Sequence, residues 1–389
     1  MRAFYPMMII AGFVQLLIPS TIHLIMGDFH LGEGVAGLLP LVFFAGIIIS
    51  ALLVTRLLEN FSVKALVVSG ALLVSASLVA ASVTPWFALF VFFYFFAGLG
   101  NGSLIILPGM YATSTCGDET PRVQSMLFGF LSCGYIVGPF VPGIIENLEI
   151  SWRWAVAVPG LLVIPFVIPV VIARLKRLTE VERISFKFIK EIVSFDRRFF
   201  VGLVIALIFA AGAALGLITW LVTFLEQERG MTRGTAHLVL AGLGVALLVG
   251  RLTCAHLARR FSAYKILLLL TPLAAVLTFL APLPDSTTAN VALFLLSALV
   301  YAGTYPLLLS AAKVYPKSQS SGAYTLLFIA MSVGGLAMTY CIGQIFQHLG
   351  AVVGMSSAAA MFIIVLAFLL ALRREIPLSE HAHQKAFPV

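Results

Sequence analysis

Few side chains within the long apolar stretches of this 389-residue chain could do chemistry. His23 and Arg251 are ionisable groups inside such stretches, whereas Glu146 lies near the end of one. An ionisable group at mid-membrane depth is costly and is a functional candidate by default. We therefore regard His23 as a possible proton site. Arg251 is a candidate gating residue, with contact to a substrate as the alternative.

Neutral amide, hydroxyl and aromatic groups make up the rest of the available chemistry. Ten of them lie in the first, fourth, fifth, seventh, tenth and eleventh apolar stretches: Gln15, Asn101, Gln124, Tyr135, Trp220, Tyr301, Thr304, Tyr305, Tyr324 and Ser332. Amides and hydroxyls among aromatic rings suit a neutral polyol such as a sugar, because they offer both donors and acceptors to its hydroxyl groups. These ten residues are the candidates for substrate binding. The alternative is that they join one membrane helix to another.

The composition decides in which class of protein these residues must act. Hydrophobic residues make up 61% of the chain and charged residues only 10%, against about 25% charged residues in a soluble domain. This balance excludes soluble enzymes and nucleic-acid binders, and it predicts an all-α integral membrane protein. The four cysteines have no metal-ligand spacing, so we expect neither a metal site nor a cofactor.

Twelve membrane spans are predicted, because a helix needs roughly 20 mostly apolar residues to cross the hydrocarbon core. They lie near 5–27, 34–57, 63–83, 86–112, 123–146, 153–173, 199–224, 235–257, 264–282, 288–312, 319–345 and 351–372. The implied units are an N-terminal six-helix bundle (1–173), a linker (174–198), a C-terminal six-helix bundle (199–374) and a tail (375–389). Apolar residues at helical spacing in the linker predict an amphipathic helix on the membrane surface, with a solvated linker as the alternative.

The loop charges predict the orientation of these spans. Of the 24 Lys and Arg residues, 21 fall in one alternating set of connections, which includes both termini and the linker. Only Arg153, Arg229 and Arg233 fall in the other set. Because Lys and Arg concentrate in cytoplasmic connections, we expect both termini to be cytoplasmic in a multi-pass protein of the cell membrane.

The two halves of the chain repeat each other at a constant offset of 200 residues. Phe61 and Ser62 recur as Phe261 and Ser262, and a Ser-x-Gly motif in the fifth span recurs in the eleventh. Each copy has six spans, so both copies have the same orientation in the membrane. Parallel repeats of this kind suit a carrier that rocks about a midplane site.

Twelve spans, a repeat of six and a long central loop together resemble the major facilitator superfamily. That family carries a motif after its second span, roughly G-x-x-x-D-R-x-G-R-R, and 57–64 and 257–265 are similar to it in degenerate form. The resemblance implies that these loops gate the inward side. The gate residues that it implies are Glu59, Lys64, Arg251 and Arg260, with ordinary loop charges as the alternative.

The region 98–143 further resembles the fucose/glucose–proton symporter branch. The stretch 98–108 is similar to that branch's G-x-G-x-G-S-L-E-T-x-x-N-P, but Ile105 stands at the Glu position and no Asp lies near Gln15. These carboxylates carry protons in the branch. Their absence here predicts transport that uses no midplane carboxylate.

Taken together, these features predict a monomeric carrier in the lipid bilayer that moves a small polar solute, with a sugar as first choice, by alternating access. It is expected to be neither an enzyme nor a binder of nucleic acid. An exporter of amphipathic compounds and an organic-anion carrier that uses Arg251 are the alternatives within transport. A receptor or structural membrane protein is the alternative outside it, and the internal repeat argues against that.

Overall fold

A computed structural model describes residues 1–31, 35, 38–141, 144, 145, 148, 150–175 and 186–372. The N-terminal half contains α1 (Phe4–Phe29), α2 (Leu38–Leu57), α3 (Val63–Val83), α4 (Phe87–Thr115), α5 (Thr120–Val137) and α6 (Arg153–Ile172). A short helix, α7 (Phe186–Phe195), follows. The C-terminal half contains α8 (Arg197–Arg229), α9 (Arg233–Leu257), α10 (Ala263–Leu280), α11 (Thr287–Tyr301), α12 (Thr304–Leu309), α13 (Lys317–Leu349) and α14 (Ala351–Ala371).

The described helices include eleven that are long and apolar enough to cross a membrane. The count becomes twelve when α1, which bends by 41° between Phe4–Leu17 and Ser20–Phe29, is taken as one span. α11 and α12 belong to a single span, Thr287–Val314. The prediction of an all-α membrane protein with about twelve spans is confirmed. The predicted tail, 375–389, lies outside the described residues.

The repeated Phe-Ser motif marks the start of the third helix in each half. Ser62 precedes α3 and its hydroxyl accepts a hydrogen bond from the backbone N–H of Ala65. Ser262 precedes α10 and accepts in the same way from Lys265. A serine in this position satisfies one of the backbone donors that a helix leaves unpaired at its start. The motif therefore recurs because both halves begin the same helix with the same cap.

The repeated Ser-x-Gly motif brings two helices of each half into close contact. A methyl group on Gly134 of α5 would collide with the carbonyl of Ile9 in α1, and one on Gly334 of α13 would collide with that of Ile208 in α8. Glycine permits this backbone approach because it has no side chain. In each half the fifth helix is thus held against the first.

The linker helix α7 packs against the protein. Phe188 and Ile192 are 3% and 0% exposed, and the ring of Phe188 covers Gly322 near the start of α13, where a methyl group would collide with it. We expected this apolar face to lie on the bilayer. The α-carbon of Gly322 leaves space for an aromatic ring, so the linker helix packs against α13.

Tyr315, which lies in the connection between α12 and α13, packs against the C-terminal end of α7. Its ring contacts Phe195 of α7 and Phe200 of α8 at centroid distances of 5.5 and 6.5 Å. Burial raises the pKa of Tyr315, and the negative charge of Asp196 adds to the effect. The hydroxyl is therefore neutral at physiological pH, and the cluster is held by ring packing.

Candidate functional site

A cavity of about 30 Å³ lies between the two halves, with space for about two water molecules. Nine lining residues are apolar and four are polar. The lining residues are Gln15, Phe44, Ile47, Ile105, Phe128, Leu131, Tyr135, Ala211, Leu215, Tyr305, Phe328, Met331 and Ser332. A sugar or an organic acid is much larger than this space and does not fit in it in this conformation.

The cavity wall follows the internal repeat. Eight of the thirteen lining residues form four pairs at the offset of 200: Gln15 with Leu215, Ile105 with Tyr305, Phe128 with Phe328, and Leu131 with Met331. Equivalent positions of the two halves therefore face each other across the cavity. This is the geometry expected of a site near the axis that relates two parallel repeats.

On the N-terminal side of the cavity, Gln15 of α1 and Tyr135 of α5 form a polar pair. The Tyr135 hydroxyl donates to Oε1 of Gln15 at 2.9 Å. The Gln15 Nε2 group has no hydrogen-bond partner among the described residues. This side of the cavity therefore offers uncharged amide N–H donors.

Behind the opposite wall, the guanidinium group of Arg251 in α9 is fully buried, at 0% exposed. Its Nη1 donates to the carbonyl of Phe128 at 2.7 Å and to the hydroxyl of Ser132 at 2.5 Å. Its Nε donates to the carbonyl of Ala302 at 3.2 Å, and Nη2 donates to the hydroxyl of Tyr305. Arg251 therefore does not extend to the aqueous edge of the bundle, and it joins α5 of one half to α12 of the other.

All the described partners of Arg251 are neutral. Besides the four hydrogen bonds, its guanidinium carbon lies 5.8 Å from the ring centre of Phe128 and 5.1 Å from that of Tyr305. No carboxylate of a described residue pairs with it. A buried charge without an opposite charge is costly, and these polar and aromatic contacts are the interactions that stabilise it in this conformation.

Six of the ten predicted binding residues do not line the cavity. Gln124 is fully buried and donates to the carbonyl of Gly109 at 2.9 Å, which joins α5 to α4. Trp220 donates to the carbonyl of Thr339 at 3.1 Å, which joins α8 to α13. The other four, Asn101, Tyr301, Thr304 and Tyr324, are at most 1% exposed. Neither amide atom of Asn101 has a hydrogen-bond partner among the described residues. The roles predicted for these six remain predictions.

The predicted gate residues belong to different elements of the two halves. Lys64 donates to the carbonyl of Val171 at 2.7 Å, at the end of α6 in its own half. Glu59 is half-buried in the α2–α3 connection, and Arg260 is exposed in the α9–α10 connection. The gating role of these residues and of Arg251 stays a prediction.

The two halves contact each other at one end of the bundle, which we call the basic end because its connection 258–262 holds Arg259 and Arg260, and Arg56 and Lys64 flank its connection 58–62. There the hydroxyls of Ser114 in α4 and Ser321 in α13 lie 2.5 Å apart. Lys313 forms an ion pair of 3.1 Å with Asp118 across the same boundary. Asp118 lies within the region 98–143 that resembles the symporter branch, but none of these four residues was among the sequence-based site candidates.

His23, the possible proton site, lies in α1, but its side chain is outside the described part of the chain. Asp28, at the end of the same helix, forms an ion pair with Arg153 at 2.9 Å. The carboxylates of Glu33 and Glu146 lie outside the described residues.

The fold defines a multi-pass membrane carrier built from two six-helix halves around a central site. The sequence profile of the Major Facilitator Superfamily matches residues 4–313. The chain therefore belongs to the Major Facilitator Superfamily, a family of transporters and not of enzymes, as the sequence predicted. No curated protein matched the chain in sequence.

Solved structures of other carriers share this fold. The transporter FucP, solved in its outward conformation, is 20% identical with a TM-score of 0.72, over 95% of this chain and 99% of that one. The proton:xylose symporter XylE, bound to 6-bromo-6-deoxy-D-glucose, is 13% identical with a TM-score of 0.76, over 95% and 94%. The human organic anion transporter TETRAN is 14% identical with a TM-score of 0.72, over 94% and 97%. At these identities the similarity concerns the fold alone.

Proposed function

We propose that this chain is a secondary carrier of small organic anions with an apolar body. It works by alternating access as a single chain in the cell membrane, with both termini in the cytoplasm. The observation that carries the proposal is the guanidinium group of Arg251, buried behind the cavity wall among neutral partners. An anion in the cavity would supply the missing negative charge.

Tyr305 connects the charge of Arg251 to the cavity. Its ring lines the cavity, and its hydroxyl oxygen accepts a hydrogen bond from Nη2 of Arg251. The hydroxyl proton of Tyr305 is then left to donate to a ligand. A hydroxyl polarised by a cation is a strong donor to a carboxylate.

The apolar lining favours a substrate with a hydrocarbon body over a sugar. Phe44, Ile47 and Phe328 offer only carbon surface, and buried hydroxyl groups facing them would lose hydrogen bonds to water. Our sequence-based ranking placed sugars first because six further polar residues were expected at the cavity. Those six do not line it.

A neutral sugar is the second candidate. The Gln15–Tyr135 pair favours it, because uncharged amide and hydroxyl groups suit sugar hydroxyls. The fold shared with FucP and XylE is consistent with it.

A binding assay separates the two candidates. The purified protein in detergent is heated with phenylacetate, with its neutral analogue 2-phenylethanol, and with fucose or glucose. We expect phenylacetate alone to raise the unfolding temperature. At a concentration 100 times Kd, binding adds about 2.7 kcal/mol to the free energy of unfolding. Counterflow of phenylacetate in proteoliposomes then tests transport.

Two variants test the role of Arg251. Arg251→Gln should abolish the effect of phenylacetate, whereas Arg259→Gln, an exposed arginine in the next connection, should leave it unchanged. Stabilisation by fucose or glucose but not by phenylacetate would favour the second candidate. Phenylacetate binding that survives Arg251→Gln would show that Arg251 is not the anion ligand.

A further inference from the structure

At two of the four matched pairs of cavity positions, the N-terminal and C-terminal halves carry side chains of different polarity. Phe128 matches Phe328, and Leu131 matches the similar Met331, but Gln15 faces Leu215 and Ile105 faces Tyr305. In each unequal pair one member is polar and the other is aliphatic. The polar members belong to opposite halves, so each half contributes one polar group from these matched positions, beside Tyr135 in the N-terminal half and Ser332 in the C-terminal half.

The two polar sides have different chemistry. The C-terminal side is cationic, because Arg251 lies behind Tyr305; the hydroxyl of Ser332 on this side donates to the carbonyl of Phe328. The N-terminal side consists of Gln15 and Tyr135 and is uncharged. Because the Tyr135 hydroxyl already donates to the Gln15 oxygen, this side has the amide N–H groups of Gln15 left to offer. They fit an uncharged acceptor, such as a hydroxyl or carbonyl oxygen.

α5 indicates how far apart the two sides are. Arg251 binds the carbonyl of Phe128 and the hydroxyl of Ser132, and Tyr135 lies further along the same helix. At 1.5 Å per residue, Tyr135 is displaced along the axis by about 5 Å from Ser132 and about 10 Å from Phe128. A benzene ring or a short aliphatic chain covers such a distance.

We infer that the substrate has two polar ends, an anionic group bound at Arg251 and Tyr305 and an uncharged hydroxyl or carbonyl group bound at Gln15, joined by a short apolar body. This inference rests on the proposed function and adds the specificity of the far end. Gln15 is then the residue that selects among organic anions.

The test compares two anions that differ only at the far end, phenylacetate and 4-hydroxyphenylacetate. Their dissociation constants are measured by titration calorimetry with the full-length protein. The unmodified protein should bind 4-hydroxyphenylacetate about three- to tenfold more tightly, the effect of one neutral hydrogen bond. Gln15→Leu, which introduces the residue found at the matched position 215, should remove this preference, so that the two anions bind with equal affinity. The matched control is Gln227→Leu at the exposed end of α8, which should keep the preference.

Each outcome decides between the two proposals. Equal affinities in the unmodified protein, or a preference that survives Gln15→Leu, would overturn the role of Gln15 while leaving an anion carrier intact. A Gln15→Leu variant that loses both ligands equally would also overturn it, because Gln15 would then act on the whole site. Failure of both anions to bind the unmodified protein would overturn the proposed function together with this inference.

Discussion

Arg153 and Arg229 bind equivalent backbone carbonyl groups in the two halves, although the two arginines are not themselves equivalent. The four carbonyls belong to Ser82, Thr84, Pro282 and Pro284, with N–O distances of 3.1, 2.6, 3.0 and 3.0 Å. They lie in or just after the last turns of α3 and α10, where a helix leaves carbonyl groups unpaired. Arg153 reaches them from the start of α6, and Arg229 from the end of α8. These two arginines belong to the set of connections that is poor in Lys and Arg. Their role is therefore to bind carbonyl groups at the ends of two helices.

Removing either arginine should destabilise its own half. We expect Arg153→Gln and Arg229→Gln each to lower the free energy of unfolding by about 2 kcal/mol, since each loses several charge-assisted hydrogen bonds. The fluorescence-detected unfolding temperature of the purified protein measures the effect. Lys187→Gln is the control, because that side chain is 89% exposed. Equal unfolding temperatures for all three variants would contradict the role of the two arginines.

Gly109 should control the closure of the basic end. A methyl group there would collide with the hydroxyl of Tyr324 in the other half, so Gly109→Ala should push the two halves apart at that end. Spin labels at Phe61 and Phe261, which are each 51% exposed, would report this as a longer distance distribution. Gly242→Ala is the matched control, because the nearest atom to its added methyl group would lie 3.6 Å away. An unchanged distribution in Gly109→Ala would mean that this contact does not hold the end closed.

Transport should not depend on a proton-carrying carboxylate. Ile105 lines the cavity and stands where the fucose/glucose–proton symporter branch, which the sequence resembles, has a glutamate. Asp28 forms an ion pair with Arg153. In proteoliposomes at zero membrane potential, a permanently ionised sulfonate should reach nearly equal concentrations inside and outside, even when a pH gradient is imposed. Accumulation that Asp28→Asn abolishes would show this prediction wrong. Accumulation that His23→Ala abolishes would assign the proton to the histidine.

The orientation can be tested with single cysteines in a background without the four native ones. Asp285 is exposed before α11, at the end opposite the linker. An impermeant maleimide should label Asp285→Cys in intact cells, whereas Lys187→Cys should react only after the membrane is opened. Labelling of Lys187→Cys from outside would reverse the orientation that the loop charges predict.

The fold could be read from the sequence because the bilayer imposes span length and loop charge on the chain. The offset of 200 predicted two parallel halves about a central site, and the structure adds that matched residues such as Phe128 and Phe328 line one cavity. The polar lining was harder to foresee, because an amide such as that of Gln124 can bind a neighbouring helix as readily as a substrate. Apolar residues such as Phe44 carry no sequence signal that separates cavity wall from helix packing. The burial of Arg251 depends on partners more than 50 residues away in the chain, which spacing within one span cannot reveal.

The contact between the Phe188 ring and Gly322 also decides to which half of the carrier the linker helix belongs. α7 touches α13 and, through Phe195 and Tyr315, the connection before it. In the alternating-access cycle proposed above, α7 would therefore move together with the C-terminal half. The linker helix would then belong to one moving body and would not bridge the two.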